Sequence, residues 1–198
     1  MNALYPSLIP VLWLAWLVYW AIAARDAKTT QRVESAASRA SHIVPLMIAG
    51  WLLGTRSAPG GFLAGQIVSP GAATDAVAVL LVAAGLAFAV WARVCLGRNW
   101  SGIVTLKQDH ELVRSGPYRF VRHPIYTGLL LALLGSALAR NEWRALLAVA
   151  LAWLAFWRKL QVEEGLMIEQ FGDAYARYRA EVPALVPSPF RHSGARGA

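Results

Sequence analysis

Apolar positions gather into five runs, separated by short polar and mostly basic stretches. The runs cover about Ser7 to Ala24, His42 to Gly54, Thr74 to Leu96, Pro124 to Ala139 and Trp143 to Leu160. A helix that crosses a bilayer needs roughly 20 apolar residues, within a range of about 17–25. The first, third and fifth runs satisfy this, and the fourth is slightly short. The second is the shortest and contains Pro45; it reaches spanning length by extending back through Ala36–Ala40, with Arg39 snorkelling to the headgroups. Only Arg140–Glu142 separate the fourth and fifth runs, which predicts an antiparallel helical hairpin. The polar stretch Arg98–Arg122 carries turn signals at Gly102, Gly116 and Pro117. Past the fifth run, Leu166, Met167, Phe171, Tyr175 and Tyr178 recur at three- and four-residue steps. That spacing predicts an amphipathic helix over Glu163–Glu181, lying at the membrane interface.

The predicted fold is all-α: an integral-membrane bundle of about five transmembrane helices, with a hairpin of spans 4 and 5 and a C-terminal amphipathic helix. Residues 1–97 would hold the first three spans. Residues 98–187 would hold the polar connection, the hairpin and the interfacial helix, and 188–198 a frayed tail.

Composition strengthens the membrane reading. The chain is 57% hydrophobic and 15% charged, with a mean hydropathy of +0.44. Soluble domains lie nearer 45–50% apolar and about 25% charged. Nine tryptophans suit a chain with two bilayer interfaces. The net charge of +8 does not point to nucleic acid, because the cations fall between the apolar runs. With five spans, sixteen of the nineteen Lys and Arg residues fall on one side, leaving Arg56, Arg140 and Arg144 on the other. The positive-inside rule then places the N-terminus outside and the C-terminus in the cytoplasm. Removing the second span would mix the two sides, so charge supports that span independently of hydropathy. Ala21-Ile22-Ala23 resembles a signal-peptide cleavage site, but no basic residue precedes the first run, against that reading. The lone Cys95 has no disulfide partner, and His42, His110, His123 and His192 lack ligand spacing, so no metal is expected.

Two polar clusters could carry chemistry. One runs from His110 to Tyr118 and on through Arg122, His123, Pro124, Ile125 and Tyr126. Pro124 suits a first helical position, which puts Arg122 and His123 at the mouth of the fourth span. Cations beside a helix N-terminus make a seat for a carboxylate. The other cluster is Arg158, Lys159, Glu163 and Glu164, with Lys159 and Glu163 four residues apart on one helix face. The hairpin brings the start of span 4 and the end of span 5 to one membrane face. Each group also has a plainer reading: Arg122 and His123 as interfacial cations, Glu163 and Glu164 as a solvated helix start, Tyr118 and Tyr126 as aromatic-belt residues. Their convergence favours a site. It would suit S-adenosylmethionine, with cations holding its carboxylate and glutamates its ammonium or ribose diol. Methyl transfer by in-line displacement draws most of its rate from positioning.

The full pattern is His110-x-Leu112-Val113-x-x-Gly116-Pro117-Tyr118-x-x-x-Arg122-His123-Pro124-x-Tyr126-x-Gly128. Glu163-Glu164, Phe171-Gly172-x-x-Tyr175-x-x-Tyr178 and Pro183 follow it. This resembles the isoprenylcysteine carboxyl methyltransferase family and, more broadly, the integral-membrane phospholipid methyltransferases, over roughly Arg93 to Pro187. The resemblance implies a helical membrane enzyme that uses S-adenosylmethionine in a cytosol-facing pocket and takes a lipophilic or lipidated substrate from the bilayer. It implies cofactor binding by His110, Glu111, Leu112, Val113, Tyr118, His123, Pro124, Ile125, Tyr126, Glu163 and Glu164. Arg122 and Glu163 would be catalytic, and Arg122 and Lys159 would contact substrate. Lys159 stands where eukaryotic members carry an arginine, which keeps the charge but loses bidentate carboxylate recognition. Other acceptors compatible with the pattern are a phospholipid amine or a small thiol. A further alternative is a membrane protein outside this chemistry, such as a sterol-reductase-like relative, though no Gly-x-Gly-x-x-Gly is present. Sequence leaves the oligomeric state open.

Overall fold

Helix-forming runs with clear start and stop signals set the architecture. The computed structural model describes residues 4–26, 30–33, 35–55, 61–97, 105–107 and 112–187. In chain order the elements are α1 (Leu4–Ala23), β1 (Thr30–Val33), α2 (Ala36–Gly54), α3 (Ala72–Leu96), β2 (Thr105–Lys107), α4 (Pro124–Arg140), α5 (Trp143–Phe171) and α6 (Asp173–Glu181).

The second apolar run does extend backwards. Ser35 caps α2, its hydroxyl accepting from Ser38 N at 3.2 Å, and the helix passes through Pro45 to reach 19 residues. Pro124 opens α4 as expected, and Asn141 closes it in the left-handed region at φ 54°. That asparagine also ties the hairpin turn to the segment before α3. Its Oδ1 accepts from Ile67 N and Val68 N at 3.1 and 2.9 Å, and its Nδ2 donates to Val68 O at 2.8 Å.

Two features depart from the sequence reading. The proposed interfacial helix over Glu163–Glu181 is not one element. Its first half is the continuation of α5, which ends at Phe171 where Gly172 turns at φ 51°, and only α6 is separate. At 1.5 Å per residue, Glu163 lies about 30 Å along α5, so the helix leaves a hydrocarbon layer of about 30 Å close to that residue. The second departure is a small antiparallel ribbon, in which β1 pairs with β2. The tail 188–198 lies outside the described residues.

The helices alternate in direction. α3 packs along α4, α4 against α5, α1 on α3 and α2 on α5. One core joins Ile9 to Val82, Leu86 and Ala132, and another joins Leu52 of α2 to Ala148 and Ala152 of α5. Much of the outward surface is large and apolar: Val11, Leu14, Met47, Leu80 and Val94 are each more than half exposed. A water-soluble surface of this kind would aggregate, whereas lipid tails solvate it. α3 and α5 are long and apolar enough to cross a membrane; α4 is a shorter apolar helix.

The α3–α4 seam is the tightest in the bundle. A Cβ added at Gly85 would sit 2.4 Å from Gly128 O, one at Gly128 would sit 2.4 Å from Gly85 O, and one at Gly135 would sit 2.6 Å from Ala78 O. Small residues let two backbones approach where no hydrophobic effect drives helices together. Gly128→Val should therefore part the two helices and cost about 1–3 kcal/mol, read as a lower melting temperature in detergent. Gly50→Ala, where a Cβ meets open space, should leave the melt unchanged or raise it.

Candidate active site

The site begins with a carboxylate that cannot stay unpaired. Glu164 is on α5, and its side chain is only 3% exposed. A buried carboxylate is tolerated only when ion pairs and hydrogen bonds replace its water. Arg122 supplies both: its Nε and Nη2 donate to Glu164 Oε1 at 2.9 and 2.6 Å. His123 Nε2 lies 3.1 Å from the same oxygen, and Arg179 Nε reaches the other oxygen at 3.3 Å. Three segments distant in sequence thus converge on one side chain: the entrance of α4, the end of α5, and α6.

The chain after α6 completes the arrangement. Arg122 Nη1 donates to Arg179 O at 3.0 Å and also to Val182 O. Backbone N–H groups of Arg122 and His123 donate to Pro183 O and Ala184 O at 2.9 and 3.0 Å. Thr127 Oγ1 donates to Leu185 O at 2.6 Å. The mouth of α4, read from sequence as an open anion seat, is thus closed by the chain's own carbonyls, and the anion at Arg122 is Glu164. A helix entrance leaves N–H groups seeking acceptors, and a carbonyl satisfies them as an anion would.

Glu163 is differently placed. Its side chain is 24% exposed and within reach of solvent. It accepts from the Tyr126 hydroxyl and lies 3.8 Å from Lys159 Nζ and 3.5 Å from His123 Nδ1. Tyr126 stacks between His123 and Phe156, with ring centroids at 5.7 and 4.9 Å, and Lys159 Nζ sits 5.6 Å from the Tyr126 ring centre. Both His123 nitrogens therefore face carboxylates, an arrangement that only the doubly protonated ring satisfies with two donors. Burial works against that charge, but hydrogen bonds and charges from Glu163 and Glu164 outweigh it and raise the His123 pKa above its ordinary value. Against two carboxylates stand Arg122, Lys159 and Arg179, so the cluster carries surplus positive charge.

The other residues singled out from sequence fall around this centre. Tyr118 is buried in the turn Gly116–Arg119, and its carbonyl accepts from the Tyr178 hydroxyl at 2.6 Å. Burial pushes the Tyr118 phenol well above its usual range and Tyr178 up to about 12, so both stay protonated donors. Pro124 is buried at the first position of α4; Ile125 is half-buried and packs with Tyr126, Phe156 and Leu160. Leu112 and Val113 are half-buried on the approach to the turn, whereas His110 and Glu111 lie outside the described residues. Sequence reasoning missed Arg179, Thr127 and the Val182–Leu185 segment. The one usable signal was Pro183, five residues beyond Tyr178.

The family follows from comparison. The model of the phospholipid methyltransferase family matches residues 73–174, just over half of the chain, and the chain belongs to that family. Among curated proteins it is similar to the protein-S-isoprenylcysteine O-methyltransferase of Schizosaccharomyces pombe, with 36% identity over 99 residues, covering 48% of this chain and 42% of that protein. It is similar to protein-S-isoprenylcysteine O-methyltransferase B of Arabidopsis thaliana, with 29% identity over 97 residues and coverage of 48% and 49%. The Xenopus laevis protein-S-isoprenylcysteine O-methyltransferase is 30% identical over 114 residues, covering 56% of this chain and 40% of that protein. The match thus spans less than half the length of each of these relatives. In fold it is similar to a solved eukaryotic intramembrane Ras methyltransferase, an isoprenylcysteine carboxyl methyltransferase, at a TM-score of 0.53 and 21% identity. That match covers 78% of this chain and 52% of the other. With its exposed apolar belt and two helices of spanning length, the chain is a helical integral membrane protein.

Two outcomes follow from the geometry. Glu164→Ala strands Arg122 and His123 in a buried place and should cost about 3–5 kcal/mol, measured by thermal unfolding in detergent. His123 gives a pH signature. Because its folded-state pKa is raised, its stabilisation is complete below the unfolded value of about 6.5 and is lost as pH rises through the folded value. The melting-temperature gap between the parent protein and His123→Asn should therefore narrow as pH climbs from about 6 to about 9.

Proposed function

We propose that this chain is an S-adenosylmethionine-dependent methyltransferase acting on a lipophilic substrate at the membrane, with a carboxylate as the methyl acceptor. The observation that carries the reading is Glu163, a reachable carboxylate backed by Tyr126, His123 and Lys159 beside a stack of aromatic rings. The names of the curated relatives support the same chemistry. We further propose five spans, with the N-terminus outside and the C-terminus and site in the cytoplasm. Sixteen of the nineteen basic residues then lie on the cytoplasmic side.

The residues present fit the cofactor. Glu163 would accept from its ammonium or ribose hydroxyls, with the Tyr126 hydroxyl holding that carboxylate in place. Leu112, Val113, Tyr118, Pro124 and Ile125 would wall the pocket, together with His110 and Glu111. When bound, S-adenosylmethionine would supply an electrophilic methyl group. The protein's share is positioning and charge. Lys159, 15% exposed on the α5 turn before Glu163, would hold an acceptor carboxylate by its charge. Surplus positive charge across the cluster favours an anionic acceptor over an amine, which would need a carboxylate free to take a proton.

Arg122 takes a different role from the one its sequence position suggested. Its Nε and both Nη atoms bond to Glu164 and to carbonyls, so it would act through Glu164 by fixing the α4 entrance against α5. Glu164 is likewise a positioning residue, and Glu163 the one that meets the cofactor.

Isothermal titration with S-adenosylhomocysteine tests the proposal. The parent protein in detergent should bind it. Glu163→Gln should weaken binding by about tenfold or more, the loss of one charge-assisted bond, while the melting temperature holds. Binding of a nicotinamide dinucleotide in place of S-adenosylhomocysteine would overturn it.

A further inference from the structure

The far end of α4 carries a second feature. At Arg140, about 24 Å along the helix from Pro124, a cavity of about 870 Å³ opens between α1, α2 and α4. That volume is within the roughly 300–1,000 Å³ of small-molecule sites. It exists because α1 leans on α3 while α2 leans on α5, which leaves the two helices apart with α4 as the floor between them.

The lining is divided by chemistry. Leu53, Leu133 and Pro10 make apolar walls, and Gly50 and Gly54 leave the α2 side open, since a Cβ at either would meet nothing within 4 Å. At the end of the cavity nearest the membrane surface are Arg140, Glu142 and Ser136; the Ser136 hydroxyl accepts from Trp13 Nε1 at 3.0 Å. Glu142 is shared: it lies 3.2 Å from Arg140 Nε and also pairs with Arg144. Two guanidinium groups against one carboxylate leave one positive charge. Arg144 is 4% exposed, and its Nη1 has no hydrogen-bond partner among the described residues.

We propose that this cavity is a binding site for an anionic membrane phospholipid from the leaflet opposite the candidate active site. Its phosphate meets Arg140, whose partner Glu142 is shared with Arg144 behind the lining, and an acyl chain descends along the Gly50–Gly54 face toward Leu133. An apolar-walled cavity below one net positive charge is complementary to a negatively charged head on a hydrocarbon tail. It is not complementary to a soluble anion, which would leave the walls wet. The site is independent of the methyltransferase reading, because no residue is shared with the Glu163 cluster.

Native mass spectrometry of the detergent-purified full chain tests the proposal, with phosphatidylglycerol and phosphatidylcholine of identical acyl chains as probes. Phosphatidylglycerol should bind about tenfold more tightly, because phosphatidylcholine carries the same phosphate but adds a quaternary ammonium against the positive charge, and glycerol phosphate should not compete. Arg140→Gln should erase the preference for phosphatidylglycerol. That variant also loses a bond from Arg140 to Thr55 O at the end of α2, so a second variant is needed. Gly50→Leu fills the cavity with a better helix former and should lower lipid binding at least tenfold at an unchanged melting temperature. Equal binding of the two lipids, competition by glycerol phosphate, or full binding by a stably folded Gly50→Leu protein would overturn it.

Discussion

The buried charge of Glu164 is the constraint around which this end of the molecule is organised. A carboxylate about 30 Å along a membrane-crossing helix sits where water is scarce and pairing is obligatory. Arg122 meets it with two donors, His123 with a third and Arg179 with a fourth. Two partners come from the entrance of α4 and one from α6, so satisfying one charge on α5 fixes the entrance of α4, the exit of α5 and the placement of α6. The pairing does not add much net stability, since desolvation offsets most of the attraction. It specifies the arrangement: any packing that separates these segments strands a charge in a low-dielectric place.

Adjacent glutamates then divide the work. Glu164 is saturated and hidden, whereas its neighbour is one position further round the helix, about 100° away at 3.6 residues per turn. Glu163 thereby reaches Tyr126 and Lys159 while remaining partly open to solvent. His123 couples the two, one ring nitrogen to each carboxylate. One polar network thus runs from Glu163 through His123, Glu164 and Arg122 to the carbonyls of Val182 and Arg179. The C-terminal segment is therefore bonded to the same network as the proposed pocket.

Much of this was legible in the sequence, for physical reasons. Spanning helices advertise themselves by long apolar runs, and the hairpin over Arg140–Glu142 follows from a connection too short to do anything else. Once the hairpin is granted, Arg122–Tyr126 and Glu163–Glu164 must share a face, so their meeting needed no structural knowledge. The closing segment Val182–Leu185 was not legible. It is irregular, has no periodicity, and acts through carbonyl groups that every residue has. Arg179 looked like any exposed cation on the polar face of the expected amphipathic helix. The break at Gly172 was hidden because the apolar spacing of Leu166, Phe171 and Tyr175 continues across it while the backbone turns. The strands Thr30–Val33 and Thr105–Lys107 are too short for an alternating pattern to register.

The α3–α4 seam explains why the two ends of α4 can differ so much. Gly85, Gly128 and Gly135 bring the two backbones into contact along the middle of α4. α4 is therefore positioned by backbone proximity rather than by large side chains. A helix held so closely on one side is free to present unlike chemistry elsewhere: a polar network at Pro124, and a floor for the gap between α1 and α2 at Arg140. Had α3 and α4 been separated by bulky residues, α4 would have moved outward into that gap, and the entrance of α4 would have moved with it. Close packing of three glycines and the distances around Glu164 are in that sense one requirement, met along the length of one helix.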